Sequence, residues 1–222
     1  MPGSADFAGR LVVSLDGRWQ FRHESFADWR EADVPMPWQA QFADLRNSSG
    51  RATYRRRFAR PEGAGETVLR FGAVSYFAEV RVNGSVVGTH EGGYLPFDCV
   101  IPEGVLRDDN ELQVDCLLPD GDPATAPDFP FAEIPHGKQS WYGPLAGIWQ
   151  SVKLEARAAT HATAVGIDAR LGGAVRVAVT ISGDAQFRVT LLDPAGRAVA
   201  TGGDNEVLHV PDAQHWSPDH PA

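Results

Sequence analysis

Two adjacent aromatics, Trp141 and Tyr142, stand in a glycine- and proline-rich stretch, HGKQSWYGPLAG, with His136, Lys138 and Gln139 just before them. An aromatic face packs well against the C–H face of a sugar ring, and imidazole, ammonium and amide groups can hydrogen-bond its hydroxyls. The set therefore reads as a candidate carbohydrate-binding platform. The competing reading is that the aromatics plug the end of a β-sandwich and anchor a long loop. Trp149 follows within IWQSVKLE, whose alternation predicts a strand and places this tryptophan in the core.

Other chemistries find less support. The seven histidines show no H-x-x-x-H or H-E-x-x-H spacing, so no metal site is expected. Gly92-Gly93 and Gly202-Gly203 are turn doublets with no following helix, which argues against a phosphate loop and a nucleotide cofactor. No G-x-S-x-G elbow is present, and neither Cys99 nor Cys116 has a histidine near it in sequence. Alternation places Cys99 with Phe97 and Ile101, and Cys116 with Val114 and Leu118, so both read as buried free thiols. Asn110-Glu111 and Asn205-Glu206 sit where turns become strands and are read as strand starts. No catalytic residue is assigned.

The 222 residues carry a formal charge of −9, with 43% hydrophobic and 22% charged residues. That balance suits folded globular protein and disfavours nucleic-acid binding, which depends on Lys and Arg. The one basic cluster, Arg51 with Arg55, Arg56, Arg57 and Arg60, lies in and just before ATYRRRFAR, which reads as a strand, and is taken as a solvated sheet face or edge. No window approaches the roughly 20 apolar residues of a membrane span. The first residues lack a basic region followed by an apolar core, so a cytoplasmic chain is expected.

These groups must be positioned by strands. RWQFRHE, ATYRRRFAR, TVLRFGAV, YFAEVRVN, SVVGTHE, LPFDCVIP and ELQVDCLL all alternate with period two, and Asn83-Gly84 predicts a tight hairpin. SFADWREA has some helical character without amphipathic length. The order predicts an all-β chain: an antiparallel jelly-roll sandwich over 1–157, then five short strands over 158–222. The latter resemble an immunoglobulin-like sandwich, but the usual seven strands need more than these about 65 residues. From Pro119 to Gly147 there is no periodicity and there are six prolines. Runs beyond about 12–15 residues are commonly functional or disordered. Four large aromatics here argue for an ordered loop.

LDGRWQFR, VPMPWQ, ATYRRRF, VRVNGSVVGTHEGGYLPFD, DDNELQV and WYGPLAGIWQSVKLE, in this order from Leu15 to Glu155, resemble the N-terminal sugar-binding-type domain of glycoside hydrolase family 2. That family contains β-galactosidases, β-glucuronidases and β-mannosidases. The stretch from Thr163 resembles its second, immunoglobulin-like domain, and HWSPDHP its closing segment. The resemblance implies that the catalytic glutamates belong to a TIM barrel with no counterpart here, so the chain alone is expected to be inactive. It also implies β-glycoside as the substrate of the whole enzyme, the chain's own barrel as a partner, and a sugar-facing loop at His136–Gly147; a homo-oligomer is left open. The alternatives are a free-standing carbohydrate-binding module or lectin, and an adhesion or scaffold protein.

Overall fold

A computed structural model describes residues 5–7, 10–62, 65–129, 133–134 and 145–219. The chain forms two compact units, Met1–Ala158 and Ala159–Ala222. In the first unit the strands are β1 (Ala5–Phe7), β2 (Arg10–Ser14), β3 (Gly17–His23), β4 (Arg30–Val34), β5 (Gly50–Ala59), β6 (Glu66–Phe71) and β7 (Val74–Ser75). They continue with β8 (Phe77–Val82), β9 (Ser85–Glu91), β10 (Phe97–Ile101), β11 (Asp109–Leu118), β12 (Gly147–Ile148) and β13 (Val152–Arg157). One helical turn, α1 (Trp38–Gln41), starts after Pro37.

Antiparallel pairing builds a five-stranded sheet, β1-β2-β13-β6-β10, and a six-stranded sheet, β4-β3-β5-β11-β8-β9. Because side chains alternate across a strand, each sheet has one apolar face and one polar face. Trp19 and Phe21 of β3, Tyr54 of β5, Leu112 and Val114 of β11 and Val80 of β8 meet Leu69 and Phe71 of β6 and Val152 and Leu154 of β13 in one buried core. Cys99 and Cys116 are buried free thiols within it, as their alternation predicts. Burial pushes both up, Cys99 to about 11, with Asp98 and Asp115 adding to the effect.

The β8–β9 hairpin turns at Asn83 and Gly84, with φ of 52° and 85°. Asn110, near the start of β11, is buried. Its Oδ1 accepts from Asn83 Nδ2 and the Arg107 amide, and its Nδ2 donates to the Arg107 carbonyl. The basic cluster behaves as a sheet face. Arg55 donates to Gln113 and lies over the Trp29 ring, Arg57 pairs with Asp109 and Arg60 with Glu103. Part of SFADWREA departs from its helical expectation: Arg30–Val34 is strand, pairing with β3 and burying Ala32 and Val34 in alternation. Edge-strand pairing outweighs a weak local preference, and Pro35 ends the segment.

In the second unit, β14 (Ala162–Ala169), β15 (Ala174–Ile181) and β18 (Val207–His209) form one sheet, and β16 (Val189–Leu192) and β17 (Ala198–Gly202) form a pair. All five strands expected there are present. Its described core is small, with Val177 and Leu208 the buried apolar side chains, while Val165 and Ile167 on edge strand β14 stay exposed.

Candidate functional site

The non-periodic run from Pro119 to Gly147 leaves the sandwich at the end of β11 and returns through β12. Its first turn is local chemistry: Asp120 Oδ1 accepts from the Asp122 amide and the Thr125 hydroxyl, and Asp122 Oδ1 accepts from the Ala124 amide. The Thr125 hydroxyl and backbone amides hold the Asp120 carboxyl below its ordinary value. Ala126 and Ile134 are buried. Phe129 packs at 5.0 Å on Phe77 and edge-on to Tyr76 at 6.1 Å, so this aromatic is an anchor.

The returning end is fixed by α1 and by the segment before it. The Trp38 amide donates to the Ala146 carbonyl at 3.2 Å, and the Ala146 amide donates to Gln39 Oε1 at 3.0 Å. Met36 donates to Ile148, and Gly147 and Ile148 pair with Ser75 and Val74. Gly147 has φ of 86°, and a Cβ there would fall on the Tyr54 hydroxyl. Only glycine meets both conditions without strain. Burial drives the Tyr54 phenol well above its ordinary range, with Cys116 contributing, so it stays neutral. Both ends of the run thus converge on Ser75, Tyr76 and Phe77.

Aromatic surface lies beside this frame. Tyr76 donates its hydroxyl to Glu91 at 2.8 Å, and burial with that carboxylate pushes the phenol up to about 12. Tyr94, in the turn GGYLPF, is 55% exposed. Its ring meets Trp149 edge-on at 5.9 Å, and Trp149 Nε1 donates to the Gly93 carbonyl at 2.8 Å. Trp149 is therefore half-buried, which corrects its assignment to the core. The regular strand resumes only at Val152, so the alternation of IWQSVKLE does not reach back to it. Tyr94 was missed, although an aromatic between a glycine doublet and a proline marks an exposed turn.

His136, Lys138, Gln139, Trp141 and Tyr142 all lie outside the described residues; what the structure brings together is the frame on either side of them. Among the described residues no group of three His, Cys, Asp or Glu is placed to hold a metal ion. Several sheet-face carboxylates are already engaged: Glu155 with Arg10 and Arg157, Asp98 with Arg157, and Asp115 with Thr53 and Gln113. The frame fixes the described residues on either side of this run beside exposed aromatic surface.

Against protein families, residues 5–157 match the model for glycosyl hydrolases family 2, sugar binding domain. The β-glucuronidase of Rattus norvegicus is 29% identical over 253 aligned residues, covering 98% of this chain and 38% of that protein. The β-glucuronidase of Paenibacillus borealis is 27% identical, covering 96% of this chain and 41% of that protein. Among solved structures, the β-glucuronidase of Faecalibacterium prausnitzii superposes with a TM-score of 0.79 at 27% identity, over 98% of this chain and 43% of that one. The chain spans about two fifths of the length of these relatives.

Proposed function

Because this chain belongs to glycosyl hydrolase family 2, whose sugar binding domain it carries at residues 5–157, we propose that it is the accessory, sugar-facing part of a β-glycosidase of the glucuronidase type. In this reading the run from Pro119 to Gly147 forms one wall of the sugar site. The observation that carries it is the tethering of both ends of that run to Ser75–Phe77, beside exposed Tyr94. A retaining glycosidase needs two carboxyl groups about 5–5.5 Å apart across the scissile bond. Glu155, Asp98, Asp109 and Asp115 are instead engaged by arginine or by sheet-face polar groups. The acid and the nucleophile then come from the share of the relatives' length that this chain does not cover.

Two measurements test the reading. The purified 222-residue chain is expected to release no nitrophenol from 4-nitrophenyl β-D-glucuronide, galactoside or mannoside. Release that one carboxylate substitution removes would place catalysis in these residues and overturn the accessory role. The second measurement uses a chimera joining this chain to the catalytic part of the Faecalibacterium prausnitzii relative. There Trp141→Ala is expected to raise KM for the glucuronide about tenfold, equivalent to ~1.4 kcal/mol, without lowering the melting temperature. An unchanged KM would remove the loop from the sugar site.

A further inference from the structure

The outward face of the five-stranded sheet sets two cations side by side. Register places Arg70 of β6 directly opposite Lys153 of β13, a position where like charges repel. At the far end of the same pairing Glu66 stands against Arg157, an opposite-charge pair. On its other side Arg70 faces Asp98 of β10, with which it pairs at 3.7 Å, and it lies 3.9 Å from Glu155. Those two carboxylates are held at closer range by Arg157, at 3.0 and 2.9 Å, and Glu155 also by Arg10. Lys153 is exposed, and among the described residues its side chain makes no hydrogen bond or ion pair.

Both cations line a groove of about 370 Å³ together with Trp149 and Gln150, at the small end of the ~300–1,000 Å³ typical of ligand sites. Its floor is rigid. The Gln150 amide donates to the Ala73 carbonyl, and the Gly72 amide donates to the Ser151 carbonyl at 2.9 Å. Gly72 permits this close approach, since a Cβ there would lie 2.8 Å from Gln150 Cβ. Trp149 is fixed by its bond to Gly93 and its contact with Tyr94.

We propose that this groove is a binding site for a carboxylate-bearing sugar, separate from the loop wall. The carboxylate bridges Arg70 and Lys153 and relieves their repulsion, the ring lies against Trp149, and the Gln150 side chain takes a hydroxyl. The assignment does not depend on the loop touching sugar, because all four groups belong to β6, β13 or the segment just before β13.

The test is calorimetric titration of the 222-residue chain with D-glucuronate, D-glucose, acetate and inorganic phosphate. D-glucuronate is expected to bind at least about tenfold more tightly than the other three, with Lys153→Gln and Arg70→Gln each weakening it about tenfold. Circular dichroism and melting temperature of Lys153→Gln serve as the folding control, since Lys153 is exposed. Equal binding of D-glucose would remove the carboxylate from the argument, and equal binding of acetate or phosphate would remove the sugar ring. Either result overturns the proposal, as does D-glucuronate binding that Lys153→Gln leaves unchanged, or no binding at all.

Discussion

Glu155 is an outward-facing carboxylate that is 2% exposed. Its Oε2 accepts from Arg157 Nη2 at 2.9 Å and Nε at 3.3 Å, its Oε1 contacts Arg10, and Arg70 stands at 3.9 Å. Burial pushes this carboxyl up, but the hydrogen bonds and charges of Arg10 and Arg157 outweigh it and hold the group below its ordinary 4.5. Glu155→Gln keeps the shape, removes the charge and turns an amide N–H₂ toward guanidinium donors. Breaking a fully buried pair costs about 3–5 kcal/mol. Arg10 and Arg70 are 40% and 43% exposed, and screening there brings the expectation to about 2–3 kcal/mol. For a unit of this size that is a fall of about 5–10 °C in melting temperature.

The pH dependence has a definite sign. With a native value below the unfolded one, the charge of Glu155 stabilises fully above about 4.5, and this is lost as pH falls through the native value. Thermal unfolding followed by tryptophan emission should show the full gap between wild type and Glu155→Gln near neutrality. The gap should narrow steadily in acid, where the wild-type carboxyl becomes neutral like the amide. A variant that melts with the wild type near neutrality would refute the reasoning. A gap that stays constant into acid would show that shape, not charge, carries the effect.

Three further outcomes are expected. Gly147→Ala places a Cβ on the Tyr54 hydroxyl at a φ of 86°, and should cost at least about 2 kcal/mol in a denaturant titration. Asn110→Ala leaves the Arg107 amide and carbonyl without their side-chain partner and takes one of two acceptors from the Asn83 amide group, and should cost about 2–4 kcal/mol by the same method. Ellman's reagent should leave both thiols untouched in the native chain near neutrality and titrate both in denaturant, because burial disfavours each thiolate.

Period-two alternation made most strands legible, since one buried face imposes it along β3, β5, β8 and β11. Asn83-Gly84 was equally plain, because its turn needs two residues that tolerate positive φ. Features assembled from distant strands were not legible. Nothing in VKLE shows that Glu155 is buried, because the arginines around it come from β2, β6 and its own strand. Trp149 kept the local pattern of a strand while its real partners, Gly93 and Tyr94, lie in another turn. The five residues proposed to face sugar were readable as chemistry, but their neighbours depend on where a proline-rich run is tied down.

The tie at Ser75–Phe77 bears on how such a protein can change over evolution. A free run of this length would have to close on itself, and the entropy of closing a flexible chain grows only slowly with its length. Here Phe129 packs on Tyr76 and Phe77 while Gly147 pairs with the adjoining Ser75, so these two anchors are held near each other by the sandwich. Change between those anchors that spares buried Ile134 and Ala146 keeps the described contacts of the core around Trp19, Tyr54 and Leu112. New recognition can therefore be tried at almost no cost to foldability.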